Sequence, residues 1–136
     1  MPTLRRAAAL LSRDGIIVAT VPAFRLLWTK HDELNDHITR YTKRTFRALF
    51  DEAGCRIGVL QYFFAWTFPA KLAVRAVEGI RRPTGQDSLP SVPPHPINRA
   101  LYRLSRLEQR FVGGLAPVGS SLLAVATKAA APWPKP

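Results

Sequence analysis

The sequence predicts an α/β fold: part of a doubly wound sheet, with three strands, flanking helices and a two-helix insertion before the last strand. Three observations carry that expectation. Segments of helical periodicity alternate with short apolar runs along the chain. The run IIVATVP (16–22) has no polar alternation, so it reads as a strand covered on both faces, the usual condition of a parallel sheet. TKRTFRALFDEAG (42–54) places Phe46, Leu49, Phe50 and Ala53 on one stripe, the helix that such a strand needs as its cover.

The elements follow in order. PTLRRAAALLSRDG has helical composition and stops at Asp14-Gly15, glycine after a last turn being a common helix terminator. The first strand ends at Pro22. Thr42 is suited to cap the following helix and Gly54 to end it. CRIGVLQYF (55–63), rich in β-branched and aromatic residues, is the second strand. Pro69 then opens a helix with Leu72, Ala73, Ala76, Val77 and Ile80 on its apolar side. Residues 82–96, with five prolines (Pro83, Pro90, Pro93, Pro94 and Pro96) and a glycine, read as an irregular connection. INRALYRLSRLEQRF (97–111) is a second helix with a basic stripe of Arg99, Arg103, Arg106 and Arg110. SSLLAVATK (120–128) is the last strand and 128–136 a loose tail, so residues 1–127 form one domain with residues 64–112 inserted.

Composition limits the function classes. Twenty Lys and Arg against nine Asp and Glu give +11, and residues 71–136 carry ten of the basic groups against three acidic ones. That charge favours an anionic partner, such as a lipid surface. No nucleic-acid reader motif or basic–aromatic strand pattern accompanies it, which argues against nucleic acid. The single cysteine, Cys55, excludes an internal disulfide framework and suits a reducing cytoplasm; it reads as a small buried residue at a strand start. No run reaches the ~18 apolar residues of a membrane span, and no secretory signal is visible.

The densest polar stretch is HDELNDHITRYT (31–42), with two histidines and three carboxylates. As a metal site it is poor, since ligands packed within seven positions rarely surround one ion without a distant partner. It reads either as an acid–base centre or as a structured loop in which Tyr41 packs under the next helix and Thr42 caps it.

Several of these pieces, taken together, resemble the carboxy-terminal half of class I S-adenosylmethionine-dependent methyltransferases, in particular a bacterial group of the type 11 kind. The likeness rests on Asp14-Gly15 before the first strand, Val21-Pro22-Ala23 at its end, His37-Ile38-Thr39-Arg40-Tyr41-Thr42 in the loop, and Leu49 through Ala53-Gly54-Cys55 at the helix end. It covers residues 4–127. The resemblance implies a partial Rossmann-like sheet, methyl transfer from S-adenosylmethionine, and a loop lying at the carboxyl ends of the strands, where open α/β sheets bind ligands. It also implies that His37 is the base, that His31, Arg40 and Tyr41 contact the substrate, and that Phe24 and Trp28 wall the pocket. The family's Gly-rich cofactor loop has no counterpart, because no Gly-x-Gly run occurs in this sequence. The expectation is therefore a truncated or split enzyme, inactive alone, that acts on a small-molecule or lipid-linked acceptor and needs an amino-terminal half in trans. The alternative is a non-enzymatic basic protein that rests on an anionic membrane surface or an acidic partner.

Overall fold

A computed structural model describes residues 2–80, 93–111 and 113–129. The order is α1 (Pro2–Leu10), β1 (Ile16–Pro22), a 3₁₀ turn (Arg25–Leu27), α2 (Lys30–Leu34), α3 (Lys43–Glu52), β2 (Cys55–Phe63), α4 (Thr67–Ile80), α5 (His95–Phe111), a 3₁₀ turn (Gly113–Leu115) and β3 (Ser121–Lys128). The alternation expected from the sequence is present, but the sheet is not a parallel one. Its order is β1-β3-β2, and β3 runs antiparallel to both neighbours. β1 and β2 therefore point the same way, joined through α3, with the last strand returning between them.

One face of this sheet is covered. Leu122, Ala124 and Ala126 of β3 are fully buried, and across the ladder they face Val21, Ala19 and Ile17 of β1. Ala8 of α1 and Phe46 and Phe50 of α3 close over them. The rings of Phe46 and Phe50 meet edge to face at 5.2 Å. Burying Phe50 completely removes a whole aromatic side chain from water, worth about 2–3 kcal/mol.

β2 reaches the same core by a local irregularity. The register shifts between Ile57 and Val59, so Gly58 is an extra residue in the ladder. Strict alternation from Cys55 would turn Leu60 and Tyr62 away from α3. The bulge resets the phase, and Cys55, Ile57, Leu60 and Tyr62 all join the core. A glycine inside a strand is suited to such a position.

The opposite face corrects the reading of β1 as a strand covered on both sides. Ile16 and Val18 remain 48% and 60% exposed. β1 is also the edge of the three-stranded sheet: β3 is its inner neighbour, and among the described residues its outer edge is met only at its end, where Tyr41 N–H bonds to the Pro22 carbonyl.

The helix ends are specified locally. Thr42 caps α3: its hydroxyl accepts from the Thr45 backbone N–H at 3.3 Å, and its own N–H donates to Thr45 Oγ1 at 2.9 Å. Gly54 follows with φ 71°, the left-handed position that glycine adopts without strain. α4 begins at Thr67, two residues before Pro69, so proline occupies the third helical position. No intrahelical donor is needed there, and the ring is tolerated. Of the proline-rich connection, residues 82–92 lie outside the described residues, while His95 and Pro96 begin α5. The tail from residue 130 lies outside them as well.

Candidate functional site

The loop after β1 is pinned at both ends before its side chains are considered. Tyr41 N–H donates to Pro22 C=O and Phe24 N–H to Tyr41 C=O, both at 2.9 Å, so the strand Ala23–Tyr41 bridge closes the loop on the end of β1. Inside the loop, α2 ends in a Schellman motif. His37 N–H donates to Asp32 C=O at 2.9 Å, and Asp36 N–H donates to Glu33 C=O at 3.1 Å. Asp36 takes the left-handed conformation that this motif requires, with φ 53°, which aspartate tolerates better than most residues. The consequence is geometric: the chain turns back and sets the His37 side chain against Asp32.

Asp32 is the hub. Its carboxylate is buried and accepts from Thr29 N–H (3.0 Å), Thr29 Oγ1 (3.3 Å), His37 Nδ1 (3.0 Å), and Arg40 Nε (3.0 Å) and Nη2 (2.9 Å). Arg40, equally buried, spends its remaining nitrogen Nη1 on the Ala23 carbonyl at 2.9 Å. Burial alone would raise the Asp32 pKa. The hydrogen bonds from Arg40, His37 and Thr29, with the Arg40 charge, outweigh it and bring the group down to about 2. Asp32 is thus a carboxylate near neutrality and can only accept. It follows that Nδ1 carries the ring proton of His37, which in the neutral ring leaves Nε2 as the bare, basic nitrogen. The His37 side chain is 39% exposed, whereas that of Asp32 is 1% exposed.

A cleft of about 480 Å³ opens where this dyad meets the strand ends. Thr20, Val21 and Pro22 from the end of β1, Phe63 and Phe64 from the end of β2, and Ser120 and Ser121 at the start of β3 line it, together with Asp32, His37, Arg40 and Lys71. Because β1 and β2 are parallel to each other, the cleft lies outside the carboxyl ends of both. The backbone is tight here. A Cβ on Gly119 would come within 2.4 Å of the Phe63 carbonyl oxygen, so this approach of β3 to β2 requires glycine. Phe64 sits at φ 57° and hands its carbonyl to Ser120 N–H (3.2 Å) and Thr67 Oγ1 (2.7 Å). The Thr67 and Ser120 hydroxyls hydrogen-bond to each other at 2.6 Å.

The residues named from the sequence separate into three groups. His37 and Arg40 line the cleft, though Arg40 is committed to Asp32 and Ala23 and positions the loop. Phe24 and Tyr41 pack inward: Phe24 stacks on Tyr62 at 4.9 Å, and Tyr41 tilts against Phe46 at 5.6 Å. Trp28 lies apart, with its indole N–H on Glu33 at 3.3 Å and its carbonyl accepting from Arg75 at 2.6 Å. It lines a separate depression with Arg25, Ile38 and Arg75. The side chain of His31 lies outside the described residues. Sequence reasoning counted Asp32 among the three carboxylates of the loop without singling it out, and passed over Lys71 and Ser121. Among the described residues no group of three metal-ligating side chains converges, and no helix is long and apolar enough to cross a membrane.

Compared with known proteins, the chain matches no family model, no curated protein and no solved structure.

Proposed function

We propose that this chain forms the acceptor-binding side of a class I S-adenosylmethionine-dependent methyltransferase, with His37 as the base. The observation that carries the reading is the Asp32–His37 dyad at the rim of a cleft outside the carboxyl ends of two strands that run the same way. Its fixed tautomer leaves Nε2 to take a proton from an acceptor O–H or N–H, and the bond's electron pair stays on the acceptor atom as the nucleophile. Arg40 positions the dyad by holding Asp32. β1 and β2 run the same way and are joined through α3, the connection a doubly wound fold uses between such strands.

The cofactor's own site does not fit these residues. No Gly-x-Gly cradle occurs in the sequence, and the buried carboxylate that lines the cleft, Asp32, is fully occupied by five hydrogen bonds. Methyl donation would therefore depend on groups supplied by another polypeptide segment. Calorimetric titration of the folded chain with S-adenosylmethionine should give no binding. Coexpression with the reading frame directly upstream of the Met1 codon should give micromolar binding and transfer of radiolabelled methyl groups. His37→Gln should lower that transfer by about 10²-fold or more. A coexpressed complex that binds no S-adenosylmethionine would sink the reading.

A second reading rests on α5. Ile97, Leu104, Leu107 and Phe111 are exposed, Phe111 by 70%, and the exposed Arg99, Arg103, Arg106 and Arg110 run beside them. An apolar stripe bordered by arginines suits the interface of an anionic bilayer. Cosedimentation with phosphatidylserine vesicles, but not with phosphatidylcholine vesicles, is the expected result. Equal recovery with both would remove it.

A further inference from the structure

The cleft contains one charge that the proposed base does not use. Lys71 projects from the first turns of α4 into the same space as His37 and Ser121. It is half-buried, and its ammonium has no hydrogen bond or ion pair with any described residue. The other two full charges in the lining cancel, because Arg40 and Asp32 are paired at 2.8 Å with both side chains 1% exposed. Lys71 is left as the net charge of the cleft. Burial pushes its pKa below the usual lysine range, and the Arg40 charge pushes the same way, with Asp32 opposing. An unpaired ammonium that has given up part of its hydration is stabilised by whatever anion restores its contacts.

The hydroxyls add direction. Ser120 is engaged with Thr67 at 2.6 Å. Ser121 forms no side-chain hydrogen bond with a described residue and is free to donate into the cleft. A donor hydroxyl lining the same cleft as an uncompensated ammonium is suited to an oxyanion rather than to a cation or a purely apolar group.

We propose that Lys71 and Ser121 form an oxyanion subsite, so that the molecule entering this cleft carries a phosphate ester or a carboxylate beside the group that faces His37. Naming that molecule as a methyl acceptor rests on the function proposed above; the subsite itself does not depend on a methyl donor. The volume, about 480 Å³, leaves room for such a headgroup with a small organic body.

The test uses the full chain alone. Inorganic phosphate and, separately, acetate are titrated while the amide resonances of Phe64, Lys71 and Ser121 are followed by ¹⁵N-correlated NMR at constant ionic strength. Saturable shifts at these three amides are expected. Lys71→Met should weaken the binding by at least about tenfold, and Lys71→Arg should retain it. Ser121→Ala, a surface change that leaves the charge in place, should weaken it less. A response to phosphate alone assigns a phosphate ester, and a response to acetate alone assigns a carboxylate. Absence of saturable shifts with both anions, or shifts that persist unchanged in folded Lys71→Met, would overturn the subsite. Either result is independent of S-adenosylmethionine binding, so failure here and failure of the methyltransferase reading are separate events.

Discussion

Arginine is used in opposite ways in the loop between β1 and α3 and along α5. In the loop a single arginine, Arg40, is buried with both ends of its guanidinium committed, to Asp32 and to the Ala23 carbonyl. Along α5 four arginines stand in solvent, and the buried charge is instead an acid, Glu108, which reaches across to the start of α4. Its carboxylate accepts from Ala65 N–H at 2.7 Å and Trp66 N–H at 3.4 Å, just before that helix begins. The contrast teaches that charge count says little about which ions hold a fold. What matters is whether a partner of matching geometry has been buried with the charge.

That contrast can be broken at its strongest point first. Arg40→Leu leaves the Asp32 carboxylate buried without its main partner and should cost about 3–5 kcal/mol in urea unfolding. A loss under about 1 kcal/mol would mean that the ion pair does not hold the loop. Acid provides the next test. The Asp32 pKa is depressed in the folded state, so its contribution is complete above the unfolded value near 4 and is lost as pH falls towards 2. The shift corresponds to about 2 kcal/mol, and the stability difference between wild type and Asp32→Asn should shrink across that window. A difference that stays constant from pH 5 to pH 2 contradicts the assignment. Glu108→Ala leaves two N–H groups at the start of α4 without their acceptor and should cost about 1–3 kcal/mol. Trp66, whose indole N–H donates to Ser105 at 3.3 Å, should report the loosening of α5 by its fluorescence. The smallest effect belongs to the outer arginines: Arg103→Gln with Arg106→Gln should change stability by no more than about 0.5 kcal/mol, as measured by thermal unfolding.

Much of the fold can be read from local sequence because local interactions determine it. Thr42 and Gly54 bracket α3 through contacts within a few residues, and the bounds of β2 at Cys55 and Phe63 coincide with the run CRIGVLQYF. The direction of the sheet could not be read in this way. IIVATVP looks the same whether its neighbour is parallel or antiparallel, and that neighbour, β3, is about a hundred residues away. At the site, the polar stretch announces His37 and Arg40, but Asp32, Glu33 and Asp36 look equivalent as a sequence of carboxylates. Only the Schellman turn at Asp36 selects Asp32 as the partner of both. Lys71 escaped notice because it stands beside Leu72 and Ala73 in a helical pattern, where a lysine usually extends to water over an apolar surface. Its confinement comes from strand ends that meet only in three dimensions.

The placement of β3 in the middle of the sheet also sets the timetable of assembly. β1 and β2 share no ladder; among the described strands each pairs only with β3, and the outermost pair, Ile16 with Thr127, is separated by more than a hundred positions. On a translating ribosome α3 can coil as soon as it emerges, yet no strand of this sheet has a partner until residues 121–128 have left the exit tunnel. The apolar runs 16–22 and 55–63 must wait for that partner while the residues between are made, an interval in which they are candidates for chaperone capture.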